Sequence, residues 1–416
     1  MRNSLMLIRL LVLALLALAL ASCGGGGGGG TAAPAPTPSV LCTAPDPCVP
    51  LTVDNGPASF TGYNVNRLFT SVTVCKRGTT LCQTIDHVLV DTGSTGLRLL
   101  YSVVNPALGL DSVTSTSGQP LLNCVQFVDT THAFGRVARA DVVLGPKSAG
   151  DLPIQIIGDP AYSALSAVCA SGQTLTTVAD LGANGILGVG LREQDCGPYC
   201  VSNVNNGYYF SCPSGISCTS TTILQPTASL LQQVANPVPK FSADNNGVVI
   251  TLPSVPTTGA ASVIGQMLFG IGTHTSNMPS GTTLLQTTPQ GSIKTAFQGI
   301  TMTGSFIDSG SNGLYFGTLT MPVCGGKASG FYCPSTPTTF AATLVGTNAI
   351  PVPEQFTAIN ASTLFATGNT ALPTLTGPMG NNTSFDWGLP FFYGRRVFVG
   401  IEGRSSPVGT GPYYAF

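Results

Sequence analysis

The sequence is poor in charged residues. Lys and Arg number 16 and Asp and Glu 17 in 416 residues, so that 8% of the chain is charged and the formal net charge is −1. Proteins that bind nucleic acid usually carry clusters of basic residues, and no such cluster is present, so we predict no nucleic-acid partner. Apolar runs are also short: residues 10–21 form a run of twelve, whereas a membrane-spanning helix needs about 20. Neither a nucleic-acid-binding protein nor a protein with membrane-spanning helices is indicated.

The sequence is rich in glycine, proline and β-forming residues. The 51 Gly and 31 Pro residues lie between runs that contain much Val, Thr and Ser. Together they stay below the proportion typical of disordered chains, and short β-prone runs between turn residues are typical of sheets. The length suits two domains of roughly 150 residues each. We therefore predict a mainly β protein with many turns.

The N-terminus is expected to be a signal peptide with a lipid-attachment site. Arg2 and Arg9 form a positive region ahead of the apolar run at residues 10–21, which is too short to span a bilayer, and this order is typical of signal peptides. The segment ends in the sequence LASC, which resembles a bacterial lipobox and predicts a signal peptide over residues 1–22 and acylation of Cys23. An ordinary signal peptide is the alternative.

The residues after Cys23 suit a tether. Seven glycines at 24–30 precede an Ala/Pro/Thr-rich stretch at 31–40, a flexible and then stiff composition that would hold a domain away from a membrane. We expect a tether over residues 23–59 and a lipid-anchored protein of the bacterial envelope, whose membrane contact is the lipid on Cys23 alone. Because Gly24 follows the acylated cysteine, we expect the lipoprotein to be sorted to the outer membrane in a host that has one.

Thirteen cysteines fit this exported location. If Cys23 carries lipid, twelve remain for disulfides in an oxidising compartment. Several are close in sequence: Cys42 and Cys48, Cys75 and Cys82, Cys324 and Cys333, and the cluster Cys196, Cys200, Cys212 and Cys218. A zinc site in that cluster is the less favoured alternative. The Cys75–Cys82 disulfide is predicted specifically, because strands at 72–74 and 85–90 would form a hairpin around the loop at 76–81.

One motif occurs twice. Residues 88–97 read VLVDTGSTGL and residues 305–314 read SFIDSGSNGL. Aligned without gaps, the copies share Asp, Gly, Ser, Gly and Leu, and each follows a short apolar run typical of a buried strand. Each therefore predicts an Asp at a strand end, entering a glycine turn. One copy alone would be weak evidence of function, since Asp-Gly turns are common in β proteins.

A pair of such aspartates suggests acid–base chemistry. Two carboxyls that share one proton can activate water with one group and protonate the departing group with the other. Gly93 and Gly310 would let the two loops approach closely. The hydroxyls of Thr92 and Ser309 could bond across to the opposite loop, and those of Ser94 and Ser311 could donate to the carboxylates. The candidate catalytic residues are Asp91 and Asp308.

Here the sequence resembles the pepsin-like aspartic peptidases over residues 60–416. That family has a second hydrophobic-hydrophobic-Gly element in each lobe, and matching stretches are NGILGVG at 184–190 and DWGLPFF at 386–392. RVFVGI at 396–401 and LFGIG at 268–272 also resemble family strands. The resemblance implies a mainly β, bilobal pepsin-like fold, with lobes at 60–237 and 238–416 and the active-site cleft between them. β-sandwich repeats with chance Asp-Gly turns are the alternative.

The family's flap is where this sequence differs. Residues 126–145 align with the hairpin that covers the substrate, but its tyrosine falls on Val128 and the tryptophan that bonds the tyrosine falls on Arg98. Phe127 could supply aromatic cover or could be a core residue of the hairpin. His132 is expected to be a solvated loop histidine. Phe127 and Val128 are the candidate substrate-binding flap residues.

The resemblance predicts an aspartic endopeptidase. Its substrate would be an extended polypeptide, it would need no metal or other cofactor, and it would be a monomer. Retention of both aspartates and both neighbouring hydroxyls favours catalysis, whereas loss of the flap tyrosine favours the main alternative, a non-catalytic pepsin-fold binding or scaffold lipoprotein. An unrelated β-rich surface adhesin is a third, less favoured interpretation.

Overall fold

Short β-strands, many of them ended by glycine turns, make up most of the structure. A computed structural model describes residue 42 and residues 45–162, 168–169, 172–212, 222–318 and 321–416. All of these belong to one compact unit. The predicted mainly β fold class is confirmed, and the strands form two large sheets.

Among the described residues, nine strands precede residue 212, and each contributes buried apolar side chains. They are β1 (Cys48–Val53), β2 (Leu68–Cys75), β3 (Cys82–Asp91), β4 (Thr95–Leu100), β5 (Leu121–Gln126), β6 (His132–Leu144), β7 (Lys147–Ile157), β8 (Gly185–Val189) and β9 (Tyr209–Ser211). Short helices lie at α1 (Val178–Leu181) and α2 (Pro198–Ser202). Thr177 caps α1, because its hydroxyl accepts the N–H of Asp180.

The second half contains more and shorter strands. They are β10 (Gly247–Thr251), β11 (Val263–Phe269), β12 (Leu284–Gln286), β13 (Ile293–Phe297), β14 (Ile300–Ile307), β15 (Leu314–Phe316), β16 (Thr338–Val345), β17 (Pro351–Ala358), β18 (Thr376–Pro378), β19 (Asp386–Trp387), β20 (Arg396–Gly400), β21 (Ser405–Ser406), β22 (Gly409–Thr410) and β23 (Tyr413–Ala415). Helix α3 (Ala361–Phe365) is capped by Asn360, whose side chain accepts the N–H groups of Ser362 and Thr363.

The strands form two main sheets. The larger has the order β12-β23-β20-β10-β11-β1-β2-β3-β8-β4-β7-β6-β5-β9, and the smaller the order β17-β16-β13-β14-β19-β15-β18. The larger sheet crosses between the two sequence halves where β1 pairs with β11, with Leu51 opposite Gly265. The lobes expected at 60–237 and 238–416 are therefore joined by one continuous sheet.

The same local arrangement occurs once in each half. Strand β8 runs parallel to β3 and antiparallel to β4. Strand β19 likewise runs parallel to β14 and antiparallel to β15. In each case the hydrophobic-hydrophobic-Gly segment lies between the strand that carries the motif aspartate and the strand that follows it. This repeated arrangement places both Asp-Gly turns at corresponding strand ends.

The tether is shorter than expected. It was predicted to extend to residue 59, but residues 48–53 form β1 within the large sheet. The alternating residues Val49, Leu51 and Val53 are buried in the main apolar cluster. Burial of apolar side chains on one face of a paired strand stabilises this segment as part of the fold. No helix among the described residues is long and apolar enough to cross a membrane.

Disulfides join several neighbouring segments. Cys75 and Cys82 pair across the ends of β2 and β3, as predicted, and close the hairpin that leads to Asp91. The further bonds among the described residues are Cys42–Cys48, Cys124–Cys169, Cys196–Cys200 and Cys324–Cys333. The Cys196–Cys200 bond removes two thiols from the alternative zinc cluster, and Cys218 lies outside the described residues. The Cys124–Cys169 bond was not predicted, because its partners are 45 residues apart.

Candidate active site

The two motif aspartates face each other. Asp91 is the last residue of β3, and Asp308 directly follows β14. The backbone N–H of Gly93 donates to Asp91 Oδ1 at 2.8 Å and to Asp308 Oδ1 at 3.1 Å. One oxygen of each carboxyl is therefore within hydrogen-bonding distance of the same N–H group. The structure brings together the two residues that the repeated motif predicted.

Each carboxyl has further donors from its own loop. Asp91 accepts from the N–H of Ser94 at 3.1 Å and from its hydroxyl at 2.5 Å. Asp308 accepts from the N–H of Gly310 at 2.7 Å and from the hydroxyl of Ser311 at 2.8 Å. The expected donation by both serines is therefore present. Donors held by the backbone fix the direction in which each carboxyl points.

Glycine is required where the two loops approach. A Cβ atom on Gly93 would lie 2.6 Å from Cγ of Asp308, and one on Gly310 would lie 2.7 Å from Cγ of Asp91. Both distances are well below ordinary van der Waals contact. A larger residue at either position would push the opposite carboxyl away.

The two loops also bond directly to each other through Thr92 and Ser309. The Thr92 hydroxyl donates to the carbonyl oxygen of Ile307 at 3.2 Å, and the Ser309 hydroxyl donates to that of Val90 at 2.8 Å. Each hydroxyl also accepts the backbone N–H of the other residue. These bonds cross between chain segments 217 residues apart, as the motif predicted, and they hold the carboxyls in a fixed relative position.

The electrostatic surroundings favour a proton on Asp308. Burial, the charge of Asp91 and the charge of Asp386 raise the pKa of Asp308 well above its usual range. Two carboxyls this close titrate as a coupled pair. The pair can therefore keep one proton while the other carboxyl acts as a base.

Asp386 is a third carboxyl beside the pair that sequence reasoning did not single out. It lies in β19 and is buried. The pKa of Asp386 is raised to about 8, mainly by burial and also by the charge of Asp91, while a hydrogen bond from Ser311 opposes the rise. The signal was visible in the sequence, since an aspartate stands where a hydrophobic residue is expected in the second hydrophobic-hydrophobic-Gly element.

Arg67 is a cation close to the same site. It follows Asn66, whose side-chain amide donates to the carbonyl oxygens of Asn312 and Leu372, each at 2.8 Å. These bonds fix the start of β2 beside the second Asp loop. Burial lowers the pKa of Arg67, and the charges of neighbouring groups oppose this shift; they are Tyr315, Asp129, Asp91 and Asp308. No sequence pattern indicated this residue, because its position depends on a contact between distant segments.

Strands β5 and β6 form a hairpin, and its turn contains Phe127 and Val128, the two residues predicted to belong to a substrate-binding flap. Val128 lies in its turn and is 67% exposed. Phe127 packs against the apolar cluster that contains Phe69 and Leu89, which is the arrangement of a core residue that supports the hairpin. The carboxyl of Asp129, at the same turn, acts electrostatically on Arg67 and Tyr315. The turn therefore reaches towards residues of the second half.

Arg98, in the position of the family's tryptophan, is fully buried. Its guanidinium donates to the side chains of Asn123 and Gln155 at 2.6 Å each, and it forms an ion pair with Asp195 at 3.1 Å. These contacts tie β4 to β5, β7 and the segment after β8. Arg98 is therefore the centre of a buried polar network at the base of the β5–β6 hairpin.

The expectation for His132 is wrong. This residue is 1% exposed, and its ring nitrogen lies 2.9 Å from the hydroxyl of Thr174. It is the first residue of β6, and its backbone bonds to the segment at 173–175. Pairing of the hairpin with that segment covers the ring, which a reading of local sequence could not show.

Cys23, the predicted lipid-attachment residue, lies outside the described residues.

Comparison of this chain with known proteins gives three results. No curated protein matches the sequence at a significant level. Among solved structures, the crystal structure of an aspartic proteinase from Irpex lacteus is similar, with 14% sequence identity, a TM-score of 0.47, and coverage of 88% of this chain and 96% of that chain. Residues 44–416 match the family described as "Protein of unknown function (DUF3443)", and the chain belongs to that family.

Proposed function

We propose that this protein is an aspartic endopeptidase, with Asp91 and Asp308 as its catalytic residues. The observation that carries the proposal is the N–H of Gly93, which donates to one oxygen of each carboxyl, at 2.8 and 3.1 Å. A shared donor requires the two groups to occupy one site. Paired carboxyls with one shared proton are suited to hydrolysis by activated water.

The reaction would proceed in two balanced steps. Asp91 takes a proton from water as the water oxygen bonds to the carbonyl carbon, and Asp308 gives its proton to the carbonyl oxygen. In the second step the carbon–nitrogen bond breaks and Asp91 passes its proton to the departing nitrogen. A hydroxyl of the intermediate returns a proton to Asp308, which restores the starting state. The raised pKa of Asp308 supports its assignment as the initial acid.

The substrate would be an extended polypeptide lying between the hairpin turn and the two carboxyls. Extended peptides bind through backbone hydrogen bonds to strand edges, with alternate side chains in pockets. The exposure of Val128 and the electrostatic influence of Asp129 on Arg67 support this path. No metal or organic cofactor is part of the proposal, and the protein would act as a monomer.

We also propose that the peptidase is anchored in the bacterial envelope by a lipid on Cys23. The tether after Cys23 would let the enzyme reach substrates at some distance from the membrane. The disulfides among the described residues support an oxidising compartment outside the cytoplasm. An outer-membrane location would follow in a host that has two membranes.

The test is digestion of an unfolded protein by the purified chain. Denatured casein at pH 3–5 is the first substrate, with products identified by mass spectrometry. We expect internal cleavage that disappears in Asp91→Asn. A well-folded wild type that cleaves no unfolded protein between pH 3 and 7 would contradict the proposal. It would favour the alternative of a non-catalytic binding or scaffold lipoprotein, for which the altered flap is the supporting observation.

A further inference from the structure

Strand β17 is the edge of the smaller sheet, and part of its free edge opens into a cavity. The strand pairs with β16 alone. A cavity of about 370 Å³ lies beside it, and the four consecutive residues 354–357 of β17 line this cavity. Successive side chains of a strand point to opposite faces of the sheet. Lining by consecutive residues therefore places the cavity against the edge of β17 and not against one face.

The residue after β17 shows which backbone groups point into this space. The N–H of Ile359 donates to the carbonyl oxygen of Thr374 at 3.4 Å, and because Thr374 is not part of β16, this N–H points away from that strand. Backbone directions alternate along a strand, so the N–H and C=O groups of Gln355 and Thr357 point to the same side. No hydrogen bond of these groups on that side is present in the part of the chain that the structure describes.

The open part of the edge is short. Pro351 and Pro353 follow the same alternation as Gln355, and neither has an N–H to donate, as is common for prolines on edge strands. At the other end the N–H of Ile359 is already bonded. The two donors and two acceptors of Gln355 and Thr357 remain. A folded partner or a second copy of this chain would need roughly 800 Å² on each side, which is far more than this edge offers, so a short extended segment suits it.

The cavity beside this edge suits one large apolar side chain. Three buried rings line it, and the ring of Trp387 lies edge-on to those of Phe356 and Phe391, with centroids 5.7 and 5.5 Å apart. The charged lining residues are Glu354 and Arg395, which bond to each other at 2.7 and 2.6 Å. A charged ligand group would find no free counter-charge there, whereas an aromatic or aliphatic side chain would gain free energy from burial.

The cavity shares residues with the second aspartate loop. Trp387 lines the cavity, and its carbonyl oxygen accepts the N–H of Asp308 at 3.0 Å. Leu314, which also lines the cavity, lies opposite Trp387 in the pair of β15 and β19. A ligand held there would therefore be close to the loop that carries Asp308.

We propose that this cavity and the free edge of β17 form a second binding site for polypeptide, which holds an extended segment with one large apolar side chain. The segment would add to the sheet as a short strand that bonds to the backbone of Gln355 and Thr357. It would belong to the unfolded substrate, at a distance from the bond that is cleaved, since an unfolded chain offers both an extended backbone and exposed apolar side chains. The assignment to the substrate rests on the proposed function, whereas the binding of peptide does not.

The single tryptophan of the chain gives a direct test of binding. Trp387 lines the cavity, so its fluorescence is followed while the peptide acetyl-Thr-Thr-Phe-Thr-Thr-amide is added to Asp91→Asn, a variant chosen to leave the peptide uncut. We expect a saturable change in fluorescence. The same peptide with alanine in place of phenylalanine should bind at least about tenfold more weakly, because it buries less apolar surface.

Two substitutions at one position separate the backbone from the side chain. Gln355→Pro, made in the same background, removes an N–H that points away from β16 and should weaken peptide binding by about tenfold. Gln355→Ala is the matched control, since it keeps that N–H, and its affinity should stay within about threefold of the parent. If Gln355→Pro does not fold, N-methylation of alternate peptide amides decides. Methylation of one alternate set should abolish binding and methylation of the other set should not.

The outcomes separate this proposal from the proposed function. The absence of a saturable change at millimolar peptide, equal binding by Gln355→Pro, or equal effects of the two methylated sets would overturn the binding site. In the otherwise wild-type chain, Gln355→Pro should raise KM for denatured casein with kcat unchanged, and an unchanged KM would overturn the assignment to the substrate. An inactive wild type that still binds the peptide would contradict the peptidase proposal and leave the binding site supported.

Discussion

Thr92 and Ser309 exchange hydrogen bonds between segments that are 217 residues apart in the chain. The N–H of Ser309 donates to the Thr92 hydroxyl at 2.9 Å, and the N–H of Thr92 donates to the Ser309 hydroxyl at 3.1 Å. Both residues are buried. Each hydroxyl is thus donor and acceptor at once, and the exchange fixes the distance between the loops that carry Asp91 and Asp308.

Loss of either hydroxyl should destabilise the protein. Thr92→Val and Ser309→Ala each leave a buried N–H and a buried carbonyl oxygen without a partner, and we expect each to lower the free energy of unfolding by about 1–3 kcal/mol. Urea unfolding followed by circular dichroism measures this change. Thr73→Val is the control, since it removes only the exposed hydrogen bond between the hydroxyls of Thr73 and Thr84. It should lower the free energy of unfolding by less than ~0.5 kcal/mol. Equal effects at buried and exposed sites would show that the exchange does not stabilise the fold.

Replacing either aspartate by asparagine should abolish hydrolysis. Asp91→Asn removes the base and Asp308→Asn the acid, and a positioned acid or base is typically worth ~10²–10⁴-fold in rate. We expect wild-type activity to require the proton on Asp308 and to fall as pH rises through its raised pKa. A pH–rate profile of wild type and both variants on denatured casein tests this expectation. Full activity in either folded variant would exclude the mechanism.

Gly93 should not tolerate replacement by a residue with a side chain. In Gly93→Ala the added Cβ would meet Cγ of Asp308 at 2.6 Å, so the carboxyl must move out of the shared site. We expect activity to fall by about 10²-fold, because small misplacements of reacting groups have large effects on rate. Gly325→Ala is the matched control, since a Cβ there meets no atom within 4 Å. Wild-type activity in Gly93→Ala would mean that the observed approach of the loops is not needed for function.

The stability of the wild type should fall as pH rises from about 4 to 8. The pKa of Asp386 is raised from 3.8 to about 8 in the folded protein, so the folded chain keeps a proton that the unfolded chain loses near pH 4. Stability from this group is therefore fully present below pH 4 and is lost as pH approaches 8. In Asp386→Asn we expect a shallower fall, measured by urea unfolding at several pH values. A pH dependence identical to that of wild type would show that Asp386 holds no extra proton.

The anchor prediction concerns Cys23. The lipid is the only strong membrane affinity that the sequence predicts, so Cys23→Ala should remain in the aqueous phase of a detergent extraction, whereas wild type should enter the detergent phase. Both proteins are expressed in a bacterial host that acylates lipoproteins, and mass spectrometry identifies the acyl chains. Wild type found wholly in the aqueous phase would contradict the prediction.

The repeated motif made much of the site predictable from sequence. Asp91 and Asp308 are each followed by a small hydroxyl residue, a glycine and a serine, and this local order requires a tight turn whose donors point back at the carboxyl. The alternating strands around Cys75 and Cys82 likewise determine their own hairpin. Such features depend on a few neighbouring residues, so the sequence alone determined them.

The tertiary structure decided which distant groups surround the pair. Asp386 lies beside Asp308 because β19 pairs with β14 in one register, and Arg67 lies near the site because Asn66 bonds to residues 246 and 306 positions away. Arg98 is buried because Asp195, 97 residues later, supplies its charge partner. Local patterns carry no information on such pairings, since their free energy arises only when separate segments pack together and exclude water.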